Sequence, residues 1–392
     1  MLSVSEAIKQ LVVSTKPATA IESLSVLDSH GRVLATDICA AVDVPPADNS
    51  AMDGYAFCYA EAATNQFKLP LSQRIAAGTA PESLASNTAA RIFTGAEIPA
   101  GADTVAMQEN CTEKNGIVEV DAAVKAQGNV RLQGQDIQAG QIILTAGTKI
   151  RAQEMGLLSS IGIAVVEVFK RLRVAIFSTG DELVEPGIRL KPGQIYNSNR
   201  ATLIGLIQSL GMVPVDLGTV ADSPEATDAV LIKAAEMGDI IISAGGVSVG
   251  EEDYVKDAVA KAGELNFWKV AIKPGKPLAF GQVNNKPFIG LPGNPASVFV
   301  TFMILARPFL LASQGLADIA PRFLKAQAQF AKSGEGREVY LRARLQDGTV
   351  EIYTNQSSGV LASASWGDVF VRQAKGQSIE VGDLVDVLPY AQ

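Results

Sequence analysis

The chain has 392 residues, 47% of them hydrophobic and 19% charged, with a formal net charge of −8. That length exceeds one ordinary core and implies two to four domains. The acidic balance and a 6% aromatic content argue against a nucleic-acid-binding face or a base-stacking platform. One histidine, His30, and three cysteines, Cys39, Cys58 and Cys111, without a C-x-x-C pair, argue against a Cys/His zinc site and a disulfide framework. Metal and acid–base chemistry then fall to Asp, Glu and Lys, and hard oxygen ligands favour Mg²⁺ over zinc.

The opening MLSVSEAIKQLVVS carries Glu6 and Lys9 within a helical period and has neither the basic start nor the long apolar core of a signal peptide. The longest strongly apolar run, Val298 to Ala306, is too short to span a bilayer and ends at Arg307-Pro308, so a cytoplasmic protein is expected. Residues 1 to about 40 predict a helix, a linker and a turn-rich extended segment. VPPADNSAMDGYAF (44–57) reads as a loop. From about 58 to 140, short alternating strands broken by Gly and Pro predict a small inserted β-rich domain. GQIILTAGTKI begins a return, and RAQEMGLLSSIG predicts a helix.

Residues 171–313 alternate strand and helix. LRVAIFST, VPVDLGTV, DIIISAG and FWKVAI read as strands. RATLIGLIQSL reads as a helix capped by Ser198 or Asn199, and SPEATDAVLIKAAEMG as one with Ser223 at its N-cap and Pro224 in its first turn. DYVKDAVAKAG and NPASVFVTFMILARPFLLAS complete the set. This spacing predicts a parallel, doubly wound sheet with helices on both faces. From about 322 to 392 the strands EVYLRARLQ, TVEIYTNQ, DVFVRQ and DLVDVLP predict a separate small β-domain.

Ligands of open α/β sheets bind at the carboxyl ends of the strands. Those ends here carry GDEL with Asp181 and Glu182, and GVSVGEEDY with Glu251, Glu252 and Asp253. FWKVAIKPGKPLAF places Lys269, Lys273 and Lys276 within eight positions, with no acid between, and Pro274, Gly275 and Pro277 impose a tight turn. Such a cluster repels itself unless an anion neutralises it; a solvated basic turn is the equally weighted alternative. PGNPAS leads a glycine turn into a helix N-terminus, which either holds an oxyanion with Ser297 or is simply capped by Asn294 or Ser297. AGGVSVGEEDY is no Walker loop, because Glu251 stands where the lysine belongs. Gly245, Gly246 and Gly250 would still let the backbone approach a phosphate; the acids that follow would then bind Mg²⁺ or stand solvated. Residue chemistry thus reaches an α/β enzyme with Mg²⁺ and an anionic substrate.

PPADNSAMDGYAF, IFTGAEIPAGADTVAMQE, GQDIQAG, FSTGDEL, GQIYNSNR, SAGGVSVGEEDY, WKVAIKPGKPLAFG and GLPGNPAS occur, in this order, across residues 44–297. Through them the chain resembles the MoeA family of molybdopterin molybdenumtransferases and is similar to the C-terminal domain of gephyrin. The resemblance implies an elongated homodimer of four-part chains. Domain I would comprise 1–43 and 141–170, the inserted β-rich domain II 44–140, the α/β molybdopterin-binding domain III 171–320 and the β-barrel-like domain IV 321–392. The implied reaction inserts molybdenum from molybdate into adenylylated molybdopterin, with Mg²⁺-dependent release of AMP.

Carried over by resemblance, Glu182, Asp222 and Asp253 form the acidic catalytic and metal site. Lys273, Lys276 and Ser297, with Lys269 nearby, form an oxyanion pocket, and Gly245, Gly246 and Ser248 belong to the substrate-binding loop. Asp53, Thr94 and Asp136 match positions on domain II, which would approach domain III of the partner subunit. Arg342 and Ser358 of domain IV would add anion contacts. Two departures stand out: Asn197 replaces a frequent aspartate, and SSGVLASASWGDVF carries Trp366, Gly367 and Asp368 in place of an Ala-Asn-Gly ending. The alternatives are a molybdopterin adenylyltransferase, which would otherwise be the partner supplying substrate, and a non-catalytic pterin carrier or scaffold.

Overall fold

The computed structural model describes the chain except residues 14, 16, 18, 122, 247–253 and 392 and the side chains of Phe267 and Trp268. The alternating segment forms six strands, β1 (Arg173–Thr179), β2 (Val213–Val220), β3 (Ile240–Ala244), β4 (Leu265–Lys269), β5 (Pro277–Val283) and β6 (Lys286–Leu291). Their order is β2-β1-β3-β6-β5-β4. Helices α1 (Ser198–Ser209), α2 (Pro224–Met237) and α3 (Tyr254–Ala262) intervene. Alternate residues along a strand face opposite sides. Val174 and Ile176 accordingly pack with Leu203 and Ile207 of α1, while Ala175 and Phe177 pack with Leu231 of α2 and Val259 of α3. Ser223 caps α2, its hydroxyl accepting from the Ala226 N–H.

The sheet is mixed where the sequence predicts a parallel one. β1, β2, β3 and β6 run parallel, but β5 is antiparallel to β6, and β4 to β5. The cause is a two-residue turn: Asn284 and Asn285 take φ of 48° and 65°, which joins β5 and β6 as a hairpin with no room for a crossover helix. After β6, α4 (Pro295–Thr301) continues through a π-turn at Phe302–Ala306 into α5 (Arg307–Ser313). The helix passes through Arg307-Pro308, as the reading of NPASVFVTFMILARPFLLAS expects. The wider turn precedes a residue that lacks an N–H and would disrupt a regular ladder. The apolar stretch of this helix is 89% buried, which makes it a core helix. The N-terminal helix, Val4–Val13, buries Val4, Ala7 and Leu11 in the same cluster.

Two short antiparallel ribbons, Ile21–Ser25 with Val165–Phe169 and Ile38–Cys39 with Ile142–Leu144, bracket the β-rich insert. The insert is a six-stranded sheet with its own core around Phe57, Leu69 and Val118. Downstream, Leu324–Ala328, Glu338–Gln346, Thr349–Ile352, Val369–Gln373 and Leu384–Pro389 close into a five-stranded barrel, because Glu338–Gln346 pairs with both Thr349–Ile352 and Val369–Gln373. Ile272–Lys273 adds to this barrel through Glu338 and Val339, which places the lysine turn at the seam between the α/β unit and the barrel.

Candidate active site

A cavity of about 1090 Å³ opens at the carboxyl ends of β1, β3 and β6. Thr179 at the end of β1 and Glu182 just beyond it, Asp222 after β2, and Gly245 and Gly246 after β3 line it. Gly180 takes φ +144°, and a Cβ there would stand 2.5 Å from Glu182 Oε2. The glycine thus lets the Glu182 carboxylate fold back over the strand end. Asp222 donates its N–H to Asp181 Oδ1 at 3.1 Å, which joins the ends of β1 and β2.

Lys273 and Lys276 reach the same cavity from the turn after β4. The Val270 N–H donates to the Lys276 carbonyl at 2.9 Å and closes the turn. Gly275, at φ +99°, presses on α4: a Cβ would come within 2.3 Å of Thr301 Cγ2. Only glycine lets the lysine turn approach the helix that carries Ser297. Ser297 is 2% exposed and lines the cavity. Asn294 makes no capping bond; the Ala296 N–H at this helix start donates to the Ser358 carbonyl of the barrel at 2.9 Å. Neither capping residue expected from the sequence is the partner.

The electrostatics combine both signs. Lys273 Nζ donates to Glu335 Oε2 at 2.6 Å, and Lys332 Nζ to Glu335 Oε1 at 3.1 Å. The hydrogen bond from Lys273, opposed in part by burial and reinforced by Lys332, holds the Glu335 carboxyl below the usual range. Lys276 is exposed, and no ion pair joins it to a carboxylate among the described residues. Arg337, which the sequence reading missed, also lines the cavity and donates from Nη1 to the Ile272 carbonyl at 3.0 Å. A cation immediately before a barrel strand was the available signal. Asn199 was considered only as a helix cap. It donates from Nδ2 to the Gly293 carbonyl at 2.7 Å and so ties α1 to the PGNP turn. Its buried Oδ1 has no hydrogen-bond partner among the described residues.

Other expected site residues stand elsewhere. Lys269 ends the edge strand β4, exposed, and is not among the cavity-lining residues. Arg342 also does not line the cavity. It is 1% exposed, with Nε donating to Ser363 Oγ at 2.9 Å and Nη2 to the Ser357 carbonyl at 3.0 Å. Burial pulls its guanidinium pKa down. It supports the segment that brings Ser357 and Ser358 to the cavity wall. Asp53 and Thr94 pair within the β-rich insert: Thr94 donates its N–H and hydroxyl to Asp53 Oδ1 at 2.7 and 2.8 Å. Those two bonds, the backbone one first, hold the Asp53 carboxyl below its usual range. Asp136 is exposed in a turn whose N–H donates to the Val44 carbonyl. None of these three lines the cavity of its own chain. Ser248 and Asp253, with Gly250, Glu251 and Glu252, lie outside the described residues.

Glu182 and Asp222 present two carboxylates to one cavity. That hard-oxygen set suits Mg²⁺, which takes one or two carboxylates and completes its shell with water and substrate phosphate. Among the described residues, no group of three or more His, Cys, Asp or Glu comes together as a metal cage.

Lysines, an arginine and carboxylates thus converge on the carboxyl edge of an α/β sheet. The chain matches, over residues 2–162, 175–312 and 325–390 in turn, the family descriptions "MoeA N-terminal region (domain I and II)", "Probable molybdopterin binding domain" and "MoeA C-terminal region (domain IV)". It is 35% identical over 400 residues to the molybdopterin molybdenumtransferase of Haemophilus influenzae, covering 100% of this chain and 99% of that one. It is 38% identical over 372 residues to the Nostoc sp. protein of the same name, covering 88% and 85%. A molybdopterin biosynthesis MoeA protein of Pyrococcus horikoshii superposes with a TM-score of 0.87 at 27% identity, over 100% of both chains. A second MoeA structure from that source gives 0.82 at 31% identity, over 99% of both. The chain belongs to the MoeA family.

Proposed function

We propose that this chain is a molybdopterin molybdenumtransferase of molybdenum cofactor biosynthesis. It takes molybdate and adenylylated molybdopterin, transfers molybdenum to the pterin dithiolene, and releases AMP in the cytoplasm. The observation that carries this reading is the meeting of Lys273, Lys276 and Ser297 with Glu182 and Asp222 in one cavity. Lysine ammonium groups neutralise oxyanions, and a preorganised site does so with little reorganisation. Lys276, Ser297 and Arg337 would bind the oxyanions of molybdate and of the pterin phosphate, and Lys273 would join them. Glu182 and Asp222, with Asp253, would hold Mg²⁺. When bound, Mg²⁺ supplies charge neutralisation at the phosphate and orients the departing group.

Purified protein incubated with adenylylated molybdopterin, molybdate and Mg²⁺ is expected to release AMP as molybdenum becomes pterin-bound. Lys276→Ala should raise the molybdate requirement, and Asp253→Asn should abolish Mg²⁺-dependent turnover with the fold intact. Pterin binding without AMP release would replace this reading with that of a carrier, and ATP consumption with that of an adenylyltransferase.

A further inference from the structure

The Lys273–Glu335 pair crosses the seam between the α/β unit and the barrel. Glu335 uses a different oxygen for each lysine, Oε2 for Lys273 and Oε1 for Lys332. Its backbone is fixed: the Gly376 N–H donates to the Glu335 carbonyl at 2.8 Å, and Lys332 and Ile379 exchange two backbone bonds of 2.8 Å. Lys273 is the more exposed partner, its side chain 43% exposed against 21% for Glu335. Two ammonium groups around one carboxylate leave a surplus positive charge, so the paired cluster still attracts an anion.

We propose that Glu335 is an exchangeable counter-ion, from which an incoming tetrahedral oxyanion draws Lys273 while Glu335 falls back on Lys332. This rests on Lys273 being an anion contact, as proposed above. The exchange avoids the usual penalty of removing one partner from an ion pair, because Glu335 keeps Lys332 and Lys273 gains the ligand. It also makes the carboxylate an internal competitor. A ligand must hold Lys273 better than Glu335 does, which favours dianionic oxyanions over monoanions such as chloride.

The test is calorimetric titration of the full chain with molybdate and, separately, inorganic phosphate at one low ionic strength. Whichever anion loses its binding in Lys273→Met identifies which oxyanion Lys273 serves. Glu335→Gln removes the competitor and should tighten binding about three-fold, the scale of a partly exposed ion pair. Lys332→Met leaves Glu335 dependent on Lys273 and should weaken binding by a similar factor. Lys273→Met should lose binding and make the added Glu335→Gln change silent. If Lys273→Met binds like the wild type, Lys273 is no anion contact. If Lys273→Met loses binding while Glu335→Gln weakens it or leaves it unchanged, the contact stands and the exchange is overturned. Absence of binding by either anion to both wild type and Glu335→Gln also overturns the exchange. Thermal unfolding checks each variant, and if Glu335→Gln fails to fold, Glu335→Ala takes its place with the same expected tightening, because Lys332→Met alone also removes a cation and would weaken anion binding without any exchange.

Discussion

Asn197 is 2% exposed, and its amide is used at both ends. Oδ1 caps α1 by accepting from the Arg200 N–H at 3.1 Å, and Nδ2 donates to Thr219 Oγ1 at 2.9 Å. Thr219 in turn gives its one hydroxyl proton to Glu185 Oε1 at 2.9 Å. An aspartate would keep the cap but set a second acceptor against a hydroxyl whose proton is committed. It would also place a charge near Glu185 and Asp216, the two acids that pair with Arg200. Asn197→Asp is therefore expected to destabilise the chain by about 1–3 kcal/mol, the cost of a buried polar mismatch. Urea unfolding measures it; a midpoint equal to the wild type's would refute the account. At this scale the strand-end residues were legible, because the carboxyl ends of parallel strands share one edge of the sheet. Arg337 and Arg342 were not separable. Which arginine of GREVYLR faces the cavity depends on the barrel's pairing with Ile272–Lys273, a contact made across 65 residues.

At the scale of elements, the alternation of apolar strands and capped helices located β1 to β4 and the helices of residues 171–313, but β5 was not read as a strand, and with it the direction of the sheet's end was missed. VNNK reads as polar punctuation between two apolar runs, and whether such a break is a hairpin or the start of a crossover is decided by φ. Two consecutive left-handed asparagines decide it for β5 and β6. The consequence reaches the site, because the reversal sends β5 back from the lysine turn beside β6, whose end carries PGNPAS. Asn285→Val puts a β-branched residue at φ 65° and is expected to cost about 1–2 kcal/mol. Asn285→Gly at the same position should cost nothing or stabilise. Equal melting temperatures for the two variants would show that the turn conformation is not what holds the hairpin. The strand Leu324–Ala328 was missed for a related reason: LKAQA buries only Ala326 and Ala328, too little apolar surface to mark a strand without its barrel neighbours.

At the scale of the whole molecule, the cavity takes its walls from the α/β unit and the barrel, and none from the β-rich insert. Yet the insert carries a constructed carboxylate. Asp53 accepts two bonds from Thr94, and those bonds hold its pKa below the usual range, so it is ionised at neutral pH. A fixed charge that lines no cavity in its own chain is accounted for if the insert completes the cavity of a second copy, as the homodimer implied by the family resemblance would require. Mixing two inactive chains tests this. In a two-fold dimer of Glu182→Gln with Asp53→Asn, one site combines both defects, and the other combines an intact cavity with an intact insert. Random pairing makes half the dimers mixed, so about a quarter of the wild-type sites should return when the two variants are co-refolded. If each chain used its own insert, every site would carry one defect and the mixture would stay as inactive as its parts.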